Sequence, residues 1–171
     1  HNFGVNAFSP GSGVLSSEFP YAAVKLLRWA PGADRFEFAP GIVVPLAPFF
    51  GSIGVAPPTL TGRISSRPPG WHGGNLDNKD LVAGSTLFLP VHVPGALLSI
   101  GDGHALQGHG EVTGTALETS LTGQIEVRLM SRGNEVLGTK RSDAQGRVQF
   151  EAGLSRGEGA LAPAMLVATD S

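Results

Sequence analysis

The chain predicts a mainly β fold: short strands joined by turns and followed by a β-meander, with little helix. Three observations carry this. The 25 glycines and 13 prolines make up about a fifth of the 171 residues, a density of turn formers that interrupts helices. Short apolar runs rich in Val, Ile, Leu and Phe alternate with Pro-Gly, Gly-Ser and Gly-Asp punctuation. No window carries the 3.6-residue period of a long amphipathic helix.

Taken in order, residues 24–29, 36–38, 42–46, 86–93 and 96–100 read as strands, each a β-prone run closed by turn residues. Pro45, Pro48, Pro57, Pro58, Pro68 and Pro69 cannot donate to a sheet ladder, so residues 45–72 are expected to be loop or edge strand and to form a site wall. Further on, residues 125–130, 135–140 and 147–150 read as the strands of the meander, with turns at 131–134 and 142–146.

Composition sets outer limits on function. With 41% hydrophobic and 15% charged residues, the chain can bury a substantial core. A net charge of -2 gives no footprint for a polyanion, so no nucleic-acid partner is expected. No apolar run of about 20 residues could span a bilayer, and no membrane partner is expected either. Nothing at the start has the basic, apolar, small-residue order of a signal peptide. The absence of cysteine removes disulfides and thiol catalysis and suits any compartment. His1 stands where an initiator Met would, so upstream residues are expected to have been removed or left unsampled.

Near residue 126 the composition breaks. Of 13 prolines, 12 lie in residues 1–126, as do all five histidines, whereas the last 45 residues hold one proline and 11 of the 26 charges. Two readings are open: one domain with an irregular half and a strand-rich edge, or two kinds of sequence joined at about 125/126.

The chemistry concentrates in residues 73–118, which hold three of the five histidines and the carboxylates Asp77, Asp80, Asp102, Glu111 and Glu118 among glycines and aliphatics. In Gly101-Asp102-Gly103-His104, a carboxylate and an imidazole two residues apart would share one face of an extended strand and could hold one metal ion. The alternation continues through Gly108-His109-Gly110-Glu111, where glycine permits close backbone approach to a ligand. Asp77 follows Gly73-Gly74-Asn75 in a comparable turn and would complete the ligand set if the fold brings it to the Asp102 strand. Mixed imidazole and carboxylate donors suit zinc, and an all-carboxylate set suits calcium or magnesium; both remain open.

Blander roles compete at each position. A lone Asp-Gly-His is ordinarily a hairpin turn, but several glycine-flanked acids and histidines in one run shift the weight toward a site. His92, within an apolar strand, is expected to be a hydrogen-bonded or surface histidine. Trp71 and His72 either line a pocket or cap a loop, and Phe49 and Phe50 are expected in the core. Lys79 is expected to be solvated. Ser85 and Thr86 lack a nearby base, and no Gly-x-Ser-x-Gly elbow is present.

A linked set of motifs then resembles the acetamidase/formamidase family over residues 1–126. It runs through Pro40-Gly41, Pro45-Leu46-Ala47-Pro48-Phe49, Ile53-Gly54-Val55-Ala56-Pro57 and Gly73-Gly74-Asn75-Leu76-Asp77. It continues with Gly84-Ser85-Thr86-Leu87-Phe88-Leu89-Pro90, Val93-Pro94-Gly95-Ala96, Gly101-Asp102-Gly103-His104-Ala105, and Gln107-Gly108 to Glu111. The resemblance implies a fold of layered β-sheets, a β-sandwich of acetamidase/formamidase type, and an activity that hydrolyses short amides such as formamide or acetamide to a carboxylate and ammonia. It also implies a divalent metal, zinc or alternatively calcium, a small amide substrate and a homo-oligomer. Carried over by position, it points to Asp77, Asp102 and His104 as metal ligands, and to Glu111 and Asp77 as catalytic groups. Glu111 would take a proton from water and deliver it to the leaving nitrogen. His109 stands where an Asp is expected.

The family's Thr-Gly-Pro stretch and its usual continuation after Glu118 are missing, so an incomplete catalytic unit with impaired turnover is expected. Residues 126–170, through Val127-Arg128-Leu129-Met130, Asp143-Ala144-Gln145-Gly146-Arg147 and Arg156-Gly157-Glu158-Gly159, resemble later strands of a macroglobulin-type domain of bacterial α2-macroglobulins. The likeness suggests a chimera. A cytoplasmic location is expected, although the tail resembles a periplasmic family. The competing expectation is a non-enzymatic β-rich scaffold, or an inactive fragment, in which Asp77, Asp102, His104 and Glu111 do not converge.

Overall fold

The computed structural model describes residues 2–130, 136–141 and 163–168. They form twelve strands and two single 3₁₀ turns, Thr59–Thr61 and His109–Glu111, with no α-helix among the described residues. Among those residues no helix is long and apolar enough to cross a membrane. The mainly β expectation is met: every recorded strand pair is antiparallel. The chain divides into two compact units.

The first unit comprises the chain to Gly51 with Asp77–Val82 and Gly101–Leu121. Strand β1 (Phe3–Phe8) pairs along its length with β2 (Ala23–Arg28), from Phe3 opposite Arg28 to Phe8 opposite Ala23. Strands β3 (Arg35–Ala39) and β4 (Ile42–Pro45) form a hairpin whose turn places Gly41 at φ 77°, a left-handed conformation glycine adopts without strain. The order β2-β1-β9-β8-β5 brings in β9 (Leu117–Glu118), the later part of β8 (Ser99–Leu106) and the start of β5 (Phe49–Gly54). In the β8–β9 ladder His104 lies opposite Glu118 and Leu106 opposite Leu117, with an irregularity between them. Leu27, Phe36, Ala105 and Leu117 are buried as one core, against which Trp29, Val44, Leu46 and Leu106 pack. Burying each of the larger side chains contributes about 1.5–3 kcal/mol, and the cluster fixes the β8–β9 pair on which the candidate site stands.

The second unit comprises Ser52–Leu76, Ala83–Ile100 and the described residues from Thr122 on. Strand β6 (Gly73–Asn75) pairs the end of β5, with Ser52 opposite Asn75 and Gly54 opposite Gly73. A four-stranded sheet has the order β11-β10-β12-β7, built from β7 (Thr86–Pro90), β10 (Ile125–Met130), β11 (Val136–Arg141) and β12 (Pro163–Ala168). Thus β12 pairs on one side with β10 and on the other with β7, from Pro163 opposite Pro90 to Val167 opposite Thr86.

Three local expectations are corrected. Residues 45–72 contain β5, an inner strand between β8 and β6, not loop or edge strand alone. Its prolines flank the strand, and Phe49–Gly54 contains none, so every amide in it can join a ladder. Within 96–100, Ala96 and Leu97 take left-handed φ values of 55° and 54°, and the strand begins only at Ser99. The strand expected over 86–93 ends at Pro90. The expected strand at 147–150 and turns at 131–134 and 142–146 lie outside the described residues.

Candidate active site

All the candidate side chains belong to the first unit. His104 is its centre, 1% exposed on β8, with the ring of buried Phe49 edge-on at 5.0 Å between centroids. Its Nε2 lies 3.1 Å from Glu118 Oε2 and 3.3 Å from Asp102 Oδ1, and its Nδ1 lies 2.9 Å from Gln107 Oε1. Glu118 reaches the ring because the antiparallel ladder sets it directly across from His104. Its other oxygen accepts a hydrogen bond from the Ala116 amide at 2.9 Å.

Asp102 and His104 do converge, although not as neighbours on one extended strand face. Asp102 has φ 62°, so the backbone turns left-handed inside β8 and swings the carboxylate onto the imidazole. Asp77 (φ 45°) and Glu111 (φ 44°) are left-handed as well, so among the described residues three of the five non-glycine residues with positive φ are candidate site carboxylates. Such conformations cost on the order of 1–2 kcal/mol each and persist where the surroundings overdetermine them, which is typical of functional sites. Asp77 is pinned partly by its amide, which donates to the Gly51 carbonyl at 3.0 Å.

Two overlapping groups result. Asp77, His104 and Glu111 each offer a ligand atom within 4.8 Å of the others, and so do Asp102, His104 and Glu118. The space they share lies over Gly51. A Cβ there would sit 2.7 Å from Asp102 Oδ2, 2.7 Å from Asp77 Oδ1 and 2.8 Å from His104 Cε1. The missing side chain thus leaves a cradle with carboxylate oxygens and an imidazole around it.

Four carboxylates around one imidazole strain the site electrostatically. Burial opposes a charged His104, but the hydrogen bond and charge of Glu118, with Asp102 and Gln107, outweigh it and push the imidazole up to about 9. Burial, then the charge and hydrogen bond of Asp77, push Glu111 up to about 7. Asp77 is raised by burial and by Asp102, against the pull of His104. Burial would also raise Glu118, yet its bonds to His104 and the Ala116 amide hold it below the ordinary carboxylate range. Protons thus take up negative charge that a divalent cation would offset more fully. Imidazole and carboxylate donors gathered around a side-chain-free cradle fit such an ion, with zinc favoured by the nitrogen donor.

The sequence-predicted residues Asp77, Asp102, His104 and Glu111 are therefore brought together. His109 is not: it is exposed in the 3₁₀ turn and belongs to neither group. Lys79 forms an ion pair with Asp80 at 2.7 Å. In the second unit, Trp71 packs edge-on against His92 at 4.7 Å. Sequence reasoning missed Glu118 as a site residue, along with Gln107 and Gly51. Glu118 was visible only as one acid in the run, since its role depends on ladder register. Gln107 stood in the sequence only as a motif position with no role of its own, and Gly51, in Phe-Phe-Gly-Ser, carries no local signal.

Antiparallel sheets bearing a cluster of carboxylates around a buried imidazole define a β-rich protein with a candidate hydrolytic centre. The sequence model of the Acetamidase/Formamidase family matches residues 62–147, half of the chain, and the chain belongs to that family. The match extends past the compositional break at 126. Formamidase of Methylophilus methylotrophus is 43% identical over 74 residues, which cover 43% of this chain and 18% of that protein. Among solved structures, a recombinant predicted acetamidase/formamidase from Thermoanaerobacter tengcongensis is similar with TM-score 0.63 and 31% identity, over 77% of this chain and 49% of that one. Acetamidase from Bacillus halodurans is similar with TM-score 0.59 and 32% identity, over 77% of this chain and 50% of that one. The chain thus spans about half the length of these solved relatives, and the alignment reaches under a fifth of the curated one.

Proposed function

We propose that this chain carries the site of a metal-assisted amidase that hydrolyses short amides, formamide or acetamide, to a carboxylate and ammonia. The observation that carries this reading is the convergence of Asp77, Asp102 and His104 over Gly51, with Glu111 and Glu118 alongside. The names formamidase and acetamidase borne by relatives support the reaction class. The convergence favours the amidase over the non-enzymatic scaffold, in which the four predicted groups would lie apart.

Asp77, Asp102 and His104, with Glu118, would hold a divalent ion, zinc in the first place and calcium as the alternative. When bound, that ion supplies Lewis acidity, which acidifies a water molecule and polarises the amide carbonyl. Glu111 takes the proton of the attacking water and passes it to the departing nitrogen, so one amide and one water yield one carboxylic acid and one ammonia, which at neutral pH become carboxylate and ammonium. Held near neutrality by burial and by Asp77, Glu111 can both accept and release that proton at ordinary pH. Asp77, hydrogen-bonded to Glu111, keeps it oriented during the exchange. A homo-oligomer belongs to the proposal, and β2 and β4 expose the apolar side chains Val24, Leu26, Ile42 and Val43.

The test is ammonia release from formamide and acetamide by the folded, zinc-loaded chain. Release that a chelator abolishes is expected. A folded, zinc-loaded sample that releases none overturns the proposal.

A further inference from the structure

Gln107 is buried, 6% exposed, and both ends of its amide are engaged. Its Nε2 donates to the Asp77 carbonyl at 2.6 Å, and its Oε1 lies 2.9 Å from His104 Nδ1. A peptide carbonyl can only accept, so the NH2 end of the amide must face Asp77 and the oxygen must face the ring. That oxygen also only accepts. The contact therefore requires a proton on Nδ1, a conclusion that follows from the partners themselves. Nε2 is left as the nitrogen facing Glu118 and Asp102, the orientation from which a ring lone pair reaches an ion shared with those carboxylates.

We propose that Gln107 is the positioning residue of this centre: it holds His104 with hydrogen on Nδ1 and Nε2 turned to the carboxylates, and ties the ring to the Asp77 turn. The purpose assigned to it rests on the metal-assisted reading above, whereas the hydrogen bond does not. Asp77 is gripped at both backbone ends, its amide by the Gly51 carbonyl at 3.0 Å and its carbonyl by Gln107. One amide side chain thereby couples two candidate ligands from separate stretches of chain and holds Asp77 in its left-handed conformation. Partners of this kind, one step removed from the ion, commonly affect metal affinity by about 10–100-fold.

The test uses the chain labelled with ¹⁵N-histidine. In wild type, a His104 Nδ1 proton in slow exchange with water is expected, identified by its loss in His104→Ala. Gln107→Leu, which removes the acceptor, should lose that protection and bind zinc at least about tenfold more weakly by titration calorimetry. Gln107→Glu keeps an acceptor for the ring but no donor for the Asp77 carbonyl. It should retain the protected proton yet bind zinc more weakly than wild type, because the tie to the Asp77 turn is lost, a split between the two readouts that packing alone would not give. A wild-type ring without a protected Nδ1 proton overturns the proposal even if the variants do not fold. Wild-type zinc affinity in Gln107→Leu overturns it too. Should the wild-type chain bind no zinc, the metal-assisted reading fails, while the proton measurement still decides what Gln107 does.

Discussion

Glu118 sits directly across the β8–β9 ladder from His104, and its carboxylate oxygen lies 3.1 Å from the buried ring nitrogen. A two-residue strand thus delivers a charged group to the centre of the candidate site by register alone. Removing that charge while keeping the shape isolates its effect. Glu118→Gln should weaken zinc binding by about tenfold in calorimetric titration. It should also destabilise the metal-free chain at pH 6 by about 1–2 kcal/mol in chemical denaturation, less than the 3–5 kcal/mol of a fully buried pair because Glu118 is part exposed. Unchanged zinc affinity would remove Glu118 from the centre.

Gly51 tests the cradle. Its substitution by Ala places a methyl within 2.8 Å of Asp77, Asp102 and His104 atoms, closer than real contacts allow. Gly51→Ala is expected to fold with a loss of about 1–3 kcal/mol from overpacking, and to lose zinc binding by more than about tenfold. Denaturation and titration on one sample separate the two effects. Full zinc affinity in the variant would show that the ion lies elsewhere.

The proton assignment tests Glu111. Glu111→Gln should lower kcat for formamide by about 10²–10⁴-fold, the usual contribution of a general acid/base, with KM little changed. Steady-state ammonia release in the zinc-loaded state measures both. An unaltered kcat would take Glu111 out of the chemistry.

The site also sets a pH dependence of stability for the metal-free chain. Glu111 is raised from 4.5 to about 7, so its contribution is fully present below pH 4.5 and is lost as pH rises through 7. His104 is raised from 6.5 to about 9, so its contribution is present below pH 6.5 and is lost as pH rises through 9. Glu118, held low, acts oppositely: its contribution is present above the ordinary carboxylate value and is lost at more acid pH. Thermal melts in chelator should therefore show Tm falling from pH 6 to pH 9.5. A Tm that rises over that interval contradicts the charge balance described here.

Zinc binding should in turn release protons, because His104 is charged below about pH 9 and must lose the Nε2 proton to become a ligand. Titrations at pH 7.5 in buffers of different ionisation enthalpy should show about one proton or more released per ion. Buffer-independent heats would exclude His104 as a ligand.

The strands were legible where β-branched and aromatic residues run between turn formers, as in Ala23–Arg28, Arg35–Ala39 and Ile125–Met130. Strand β5 was hidden by flanking prolines that lie outside its ladder. Residues 96–100 misled for the converse reason, since Leu97 and Leu98 are apolar yet Pro94 to Leu97 form a turn. In the site, Asp77, Asp102, His104 and Glu111 stood out because glycines around them announced unusual backbone, and the left-handed φ values of the three acids give that signal a physical basis. Gln107, Glu118 and Gly51 were not legible. One acts through a contact with a distant carbonyl, one through strand register, and one through the absence of a side chain.

The most direct measurement is anomalous diffraction at the zinc edge from crystals grown with one equivalent of zinc. A single strong peak is expected over Gly51, ligated by His104 Nε2 and by carboxylate oxygens of Asp77 and Asp102. A peak on other residues, with this cluster holding no ion, would contradict it.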